Sequence, residues 1–401
     1  MYPANSAVPI TFDDEGVCSG CRVDEEKEKI DWRDRWQRLQ EIAREYKAKA
    51  KGPHHCIIPV SGGKDSHWQT YLIKEKLGLN PLLVTFNHEM NTQRGIRNLA
   101  NLVKKFQVDH LRLTVNPELV RQLSIESLNK MGDMFWHSHC GIYTFPVQIA
   151  IKYRIPLIIW GEEGFMNLGG MFSHDDMVEM SNKQRIEHGL RGYDAKDMIN
   201  EKVGITLDDL WWAVYPSDEE LEAVGVRGIY LGNFVLWDYL KQTELMIKRY
   251  DFETAEHQRT FNAYENVEDF VSNGLNDYLR YLKFGYGRAT DHAALEIRRG
   301  RMSRAEGAAL VKKYDHRYPQ DIKIYARYTS LSEKQIIGAV DKMRDQRIWE
   351  KVNGKWKILD GVWNHVNDPG VDQVRLPQRG KLKYILNPQR VKPEPQAYTL
   401  M

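Results

Sequence analysis

The hexapeptide Ser61-Gly62-Gly63-Lys64-Asp65-Ser66 constrains the fold more than any other stretch of this sequence. It follows a short apolar run, residues 56–60, and precedes a stretch with helical spacing from about 65 to 76. A strand that ends in two glycines and turns into a helix presents unpaired backbone N–H groups and the positive end of a helix dipole. Such a corner attracts phosphate. The glycines let the backbone approach phosphate oxygens closely, Ser61 and Ser66 offer hydroxyls, and Lys64 supplies a fixed positive charge. Asp65 stands at the helix start, placed to help hold Mg2+ or to orient a ligand. The spacing differs from the Gly-x-x-x-x-Gly-Lys-[Ser/Thr] loop of γ-phosphate-transferring enzymes, because here a serine precedes the glycines.

Strand and helix go on alternating beyond this corner. Apolar runs at 82–86, 110–115 and 157–161 alternate with helical patterns at about 92–106, 117–130 and 141–153. Residues 228–232 read as a fifth strand leading into a helix at 236–250. Short buried strands separated by amphipathic helices need crossover connections. The expected fold is α/β, an open parallel sheet with helices on both faces. Residues 1–50 form an N-terminal segment with Cys18-Ser19-Gly20-Cys21 and a helix from about 31 to 50. The nucleotide-binding unit is expected over 51–250, with a Gly-, Met-, Asn- and Asp-rich insertion or lid at about 165–227. Residues 251–366 read as mainly helical, and 367–401 as an irregular tail rich in Pro and basic residues.

Composition excludes several classes. Lys and Arg number 57 against 55 Asp and Glu, a net charge of +2. A balance so near zero speaks against gripping nucleic acid as the main task. With 42% hydrophobic and 28% charged residues the chain is globular rather than disordered. No apolar run approaches the ~18 residues of a membrane helix. The start lacks the basic and apolar regions of a signal peptide, and four cysteines are too few for a secreted disulfide framework. A cytoplasmic protein with reduced thiols and no membrane contact is expected.

The hexapeptide resembles the Ser-Gly-Gly-x-Asp-Ser signature of the pyrophosphate-loop (N-type ATP pyrophosphatase) superfamily, which implies an adenine-nucleotide α-hydrolase-like fold. Ile10-Thr11-Phe12-Asp13-Asp14-Glu15-Gly16-Val17-Cys18, Gly141-Ile142-Tyr143-Thr144-Phe145-Pro146 and Leu282-Lys283-Phe284-Gly285-Tyr286-Gly287-Arg288-Ala289-Thr290-Asp291-His292 are similar to the N-acetyl sugar amidotransferase family. This is the WbpG/PseA type of surface-polysaccharide biosynthesis, and the resemblance spans about residues 3–314. It implies that ATP, with Mg2+, adenylates an amide oxygen, that pyrophosphate leaves, and that ammonia then displaces AMP. The N-acetyl group of a nucleotide-linked sugar, UDP-2,3-diacetamido-mannuronic acid being favoured, would become an acetamidino group in O-antigen and lipopolysaccharide biosynthesis. No glutaminase domain is recognisable, and the resemblance implies a separate glutaminase and a barrel-type ammonia-channelling subunit as partners. Other readings are a tRNA thiolase of the same superfamily, or a nucleotide-binding scaffold without chemistry of its own.

The candidate site is assembled around that loop. Ser61, Gly62, Gly63, Lys64, Asp65 and Ser66 are the expected phosphate binders, with Lys64 and Asp65 also catalytic. Thr85 and Phe86, ending the second strand, are placed to meet the adenosine; alternatively Phe86 is core. Glu162, with Glu163 beside it, follows the fourth strand at its carboxyl end, where open parallel sheets bind ligands. It either positions Mg2+, ammonia or the amide nitrogen, or belongs to a solvated acidic turn. Arg288 is the second-site candidate, a guanidinium able to clamp a phosphate or a sugar carboxylate bidentately; the alternative is a staple at a helix start. Cys18 and Cys21 have the spacing of half a zinc knuckle, and structural zinc needs four ligands. In the resembling family another Cys-x-x-Cys precedes the segment matching Tyr2-Pro3, so the expectation is a truncated or misplaced start and half a zinc site. Trp136-His137-Ser138-His139-Cys140 offers a further tract for a metal or a catalytic thiol, or for plain packing.

Overall fold

Ile57 and Ile58 are adjacent, fully buried, and packed into different hydrophobic clusters. Alternate side chains of a strand point to opposite faces, so this strand is covered on both sides. The computed structural model describes residues 2, 10–267 and 271–368; most of the expected basic tail lies outside them. Strands β1 (Cys56–Pro59), β2 (Pro81–Asn87), β3 (Asp109–Thr114), β4 (Leu157–Trp160) and β5 (Arg227–Tyr230) form a parallel sheet in the order β3-β2-β1-β4-β5. The expected open parallel sheet is therefore present. From β1 the chain steps outward to β2 and β3, then returns to the other side of β1 for β4 and β5. The crevice between the carboxyl ends of β1 and β4 is the switch point at which such sheets take ligands.

Helix α1 (Ser19–Glu26) precedes α2 (Trp32–Lys49), which starts at Asp31, whose carboxylate accepts from the N–H groups of Arg33 and Asp34. Together α2, α3 (Lys64–Thr70, continued by a wider turn over Tyr71–Lys76) and α4 (Gln93–Phe106) cover the sheet face bearing Ile58, Leu83 and Ile159. On the other face α5 (Pro117–Met131) and α6 (Trp136–Tyr153) meet Ile57, Val84 and Ile158. Helix α6 starts five residues earlier than the sequence pattern suggests, taking in His137 to Cys140.

The stretch read as an insertion or lid contains α7 (Gly164–Gly169), α8 (Asn182–Gln184) and α9 (Asp218–Val224) among tight turns. Much of it is a packing layer: Met198, Ile205, Leu210 and Trp212 are fully buried in the cluster that holds Phe86 and Trp136. Helix α10 (Tyr239–Tyr250) then returns to the first face. After a loop over 251–267 come α11 (Asn273–Phe284), α12 (Arg288–Arg298), α13 (Arg304–Tyr314), α14 (Ile322–Thr329) and α15 (Glu333–Asp341). An antiparallel hairpin, β6 (Trp349–Val352) and β7 (Lys355–Ile358), ends this region. No helix among the described residues is long and apolar enough to cross a membrane.

Candidate active site

The loop over residues 61–66 is held shut by its own serines. The Ser66 hydroxyl accepts from the N–H of Ser61 at 2.9 Å and of Gly62 at 3.3 Å, and Ser61 Oγ accepts from Gly63 N–H. Gly62 has φ +94°, the left-handed region where a side chain is strained. A Cβ there would also come within 2.9 Å of the Leu99 backbone nitrogen, so α4 packs on the bare loop. The loop thus lies at the β1–β4 switch point, with α3 starting directly behind it.

Lys64 is buried, and its ammonium is 2.6 Å from Asp65 Oδ2, 3.0 Å from Glu265 Oε1 and 4.3 Å from the centre of the Tyr239 ring. Burial alone would lower its pKa, but Asp65 and Glu265 outweigh that and hold it above the ordinary lysine value. Across the crevice, Glu162 follows β4. Burial pushes its carboxyl up to about 8, against the opposing pull of Lys27 and Arg299. A cavity of about 280 Å3 separates the two sides, with Asp65, Glu162, Glu265 and Arg288 among its walls. Oδ1 of Asp65 and Oε1 of Glu162 are buried there without a hydrogen-bond partner. Two orphaned carboxylate oxygens facing one cavity fit a divalent cation of the Mg2+ kind, which takes few protein ligands and leaves the rest to phosphate and water. Glu163 is instead structural: its side chain caps α7 through the Met166 N–H and accepts from Gln184 at 2.9 Å.

A second cavity, of about 440 Å3, opens beside the first and shares Glu265, Asn266, Arg288 and His292 with it. Arg288 is held loosely, 3.6 Å from Asp277 and 4.0 Å from Asp291, and its buried Nε has no hydrogen-bond partner. Arg259 and Arg280 crowd the same two carboxylates. Of these three guanidiniums, Arg288 is the one that borders both cavities. The start of α12 is not free for phosphate, because Asp315 already caps it. Its carboxylate accepts from the N–H of Gly287 (2.9 Å) and Ala289 (3.0 Å) and from Thr290 Oγ1 (2.7 Å). A Cβ on Gly287 would meet Asp315 Oδ1 at 2.7 Å, so this cap requires glycine.

Several sequence candidates lie elsewhere. Thr85 and Phe86 are buried and line neither cavity. Thr85 donates to the Val60 carbonyl at 2.6 Å, and Phe86 packs on Trp212 with ring centres 4.9 Å apart. The structure thus favours the core alternative for Phe86. Cys140 is fully buried; Arg185 donates to its sulfur at 3.2 Å, and burial pushes its thiol up to about 11. A protonated thiol sealed in the core does not act as a nucleophile. At Cys18 and Cys21 the expected zinc finds no support: among the described residues no group of three or more His, Cys, Asp or Glu is assembled to hold a metal. Cys18 instead lies 3.7 Å from an Arg298 nitrogen. The hydrogen bond with Cys21 and the Arg298 charge pull its thiol down to about 4, against burial.

Glu265 and Asp277 were not anticipated. Both lie outside any motif, and no spacing in the sequence marks either as a neighbour of the phosphate loop.

The sheet order and the loop at its switch point define a doubly wound, parallel α/β fold. Residues 242–362 match the family described as LPS biosynthesis protein WbpG-like, C-terminal domain, and over 242–314, where the two overlap, the resemblance read from the sequence is borne out. Over 61 residues the chain is 44% identical to the uncharacterized protein MJ1599 of Methanocaldococcus jannaschii, which is 15% of this chain and 22% of that protein. The chain therefore spans about a fifth of that curated relative. Among solved structures it is similar to NMN synthetase from Francisella tularensis, with 14% identity and a TM-score of 0.28 over 49% of this chain and 93% of that one.

Proposed function

We propose that this chain is an ATP-dependent amidotransferase of lipopolysaccharide biosynthesis, converting the N-acetyl group of a nucleotide-linked sugar into an acetamidino group. The observation that carries the reading is the placement of Lys64 and the serine-held loop beside a cavity whose far wall is Arg288. An amide is a poor electrophile with a poor leaving oxygen, and transfer of AMP to that oxygen corrects the second fault. In this reading a phosphate takes the place of the Ser61 and Ser66 hydroxyls as acceptor of the loop N–H groups, which with Lys64 stabilise the pyrophosphate as it departs. Asp65 and Glu162 would hold Mg2+, which when bound neutralises phosphate charge. Arg288 clamps an anionic group of the sugar nucleotide, so that the amide oxygen meets the α-phosphorus in line. Ammonia then attacks the imidoyl carbon, AMP leaves with the original oxygen, and a proton is lost to give the amidine. The ammonia would come from a separate glutaminase through a channelling subunit, and UDP-2,3-diacetamido-mannuronic acid is the favoured acceptor.

The test is the fate of ATP. With Mg2+, a high ammonium concentration and that acceptor, AMP and pyrophosphate are expected in equal amounts, and neither without the acceptor. ADP and phosphate, or AMP formed equally without acceptor, would sink the proposal.

A further inference from the structure

The ammonium of Lys64 is already matched by two carboxylates, which leaves little of its charge for a phosphate. Asp65 is the neighbouring residue and moves with the loop. Glu265 is different: it reaches Lys64 from the 251–267 loop, at 3.0 Å. Its backbone is fixed by a turn in which Asn262 Oδ1 accepts from the N–H groups of both Tyr264 and Glu265 at 2.9 Å. Glu265 borders both cavities, so open space lies beside it on either side.

We propose that Glu265 is a latch on the phosphate-loop lysine: an incoming triphosphate displaces it from Lys64, and the freed carboxylate turns into the larger cavity. This inference rests on reading the loop as a nucleotide site. Glu265 acts on the nucleotide through Lys64 and is therefore a positioning residue.

The test measures affinity by calorimetry for three probes in the presence of Mg2+: a non-cleavable ATP analogue with carbon bridging the α- and β-phosphorus, inorganic pyrophosphate, and adenosine. Glu265→Gln keeps the shape and removes the charge, so binding of the analogue and of pyrophosphate is expected to tighten about tenfold, the scale of one hydrogen bond to a charged group. Adenosine, with no phosphate to compete for Lys64, is expected to bind both proteins alike. Glu265→Asp keeps the charge and is expected to behave as the unaltered chain, and thermal unfolding checks that each variant is folded. Equal or weaker phosphate binding in Glu265→Gln overturns the latch alone. So does equal tightening for adenosine, which would mean a general loosening of the site. Failure of the unaltered chain to bind the analogue or pyrophosphate overturns the nucleotide reading and the latch with it.

Discussion

Glu162 is a carboxyl whose surroundings favour its protonated form, with burial raising it to about 8. Ordinary glutamates in an unfolded chain titrate near ~4.3. The folded state therefore holds this proton more tightly than the unfolded state, and folding loses stability as pH rises from that value through about 8. Glu162→Gln has no proton to lose. Its unfolding temperature is expected to fall less between about pH 6 and pH 9 than that of the unaltered chain, as scanning calorimetry would record. A parallel decline in both proteins would refute this account of Glu162. Turnover should move the opposite way over the same interval, since the ionised form is the one able to hold a cation. Side chains of this kind are hard to read from sequence. The Glu-Glu pair after the fourth strand was visible, but which of the two faces the cavity depends on the cap that Glu163 gives α7.

At the scale of single elements, α12 is the piece that carries Arg288 to the cavity, and Asp315 fixes where it begins. Removing the cap in Asp315→Ala frees two backbone N–H groups and the Thr290 hydroxyl. The expected loss is about 1–2 kcal/mol, on the scale of helix caps, together with a fall in acceptor-dependent turnover as Arg288 shifts. Urea unfolding and steady-state rates would measure the two effects; an unchanged denaturation midpoint would show that the cap is dispensable. The strands of the sheet were legible because they are short apolar runs buried on both faces, with turn residues between them. The hairpin of β6 and β7 escaped because its residues alternate with lysines and one of its faces is exposed. Asn353-Gly354 was the available signal: both have positive φ, 50° and 78°, as a two-residue hairpin turn requires. The early start of α6 was hidden by its histidines and Cys140, which suggest metal chemistry but here serve packing.

Across the whole molecule, buried arginines join parts that are distant in sequence. Arg298 donates to the carbonyls of Asn167 (2.6 Å) and Leu168 (3.1 Å) and lies beside Cys18, while Arg299 donates to Trp237 O at 2.6 Å. Lys27, also buried, pairs with Asp24 at 2.9 Å and donates to Asn167 at 2.8 Å. Arg298→Met fills similar space but leaves two buried carbonyls without these donors. A loss of about 3 kcal/mol is expected, seen as a lower unfolding temperature, and a change within error would mean that water replaces the guanidinium without cost. None of this long-range joining has a period or a motif, so the sequence displayed the phosphate loop but not the residues that close over it.

The Tyr2 hydroxyl donates to Asp291 Oδ1 at 2.9 Å, and the Tyr2 ring meets Tyr286 edge-on. Together with Cys18 beside Arg298, this means that the segment around Tyr2 leaves the ribosome long before the helix that completes it. At ~5–20 residues per second, roughly 15–60 s separate the two during synthesis. Throughout that interval Tyr2, Ile10 and Cys18 have no α12 to cover them, so the nascent chain carries an apolar strip that a chaperone has time to find.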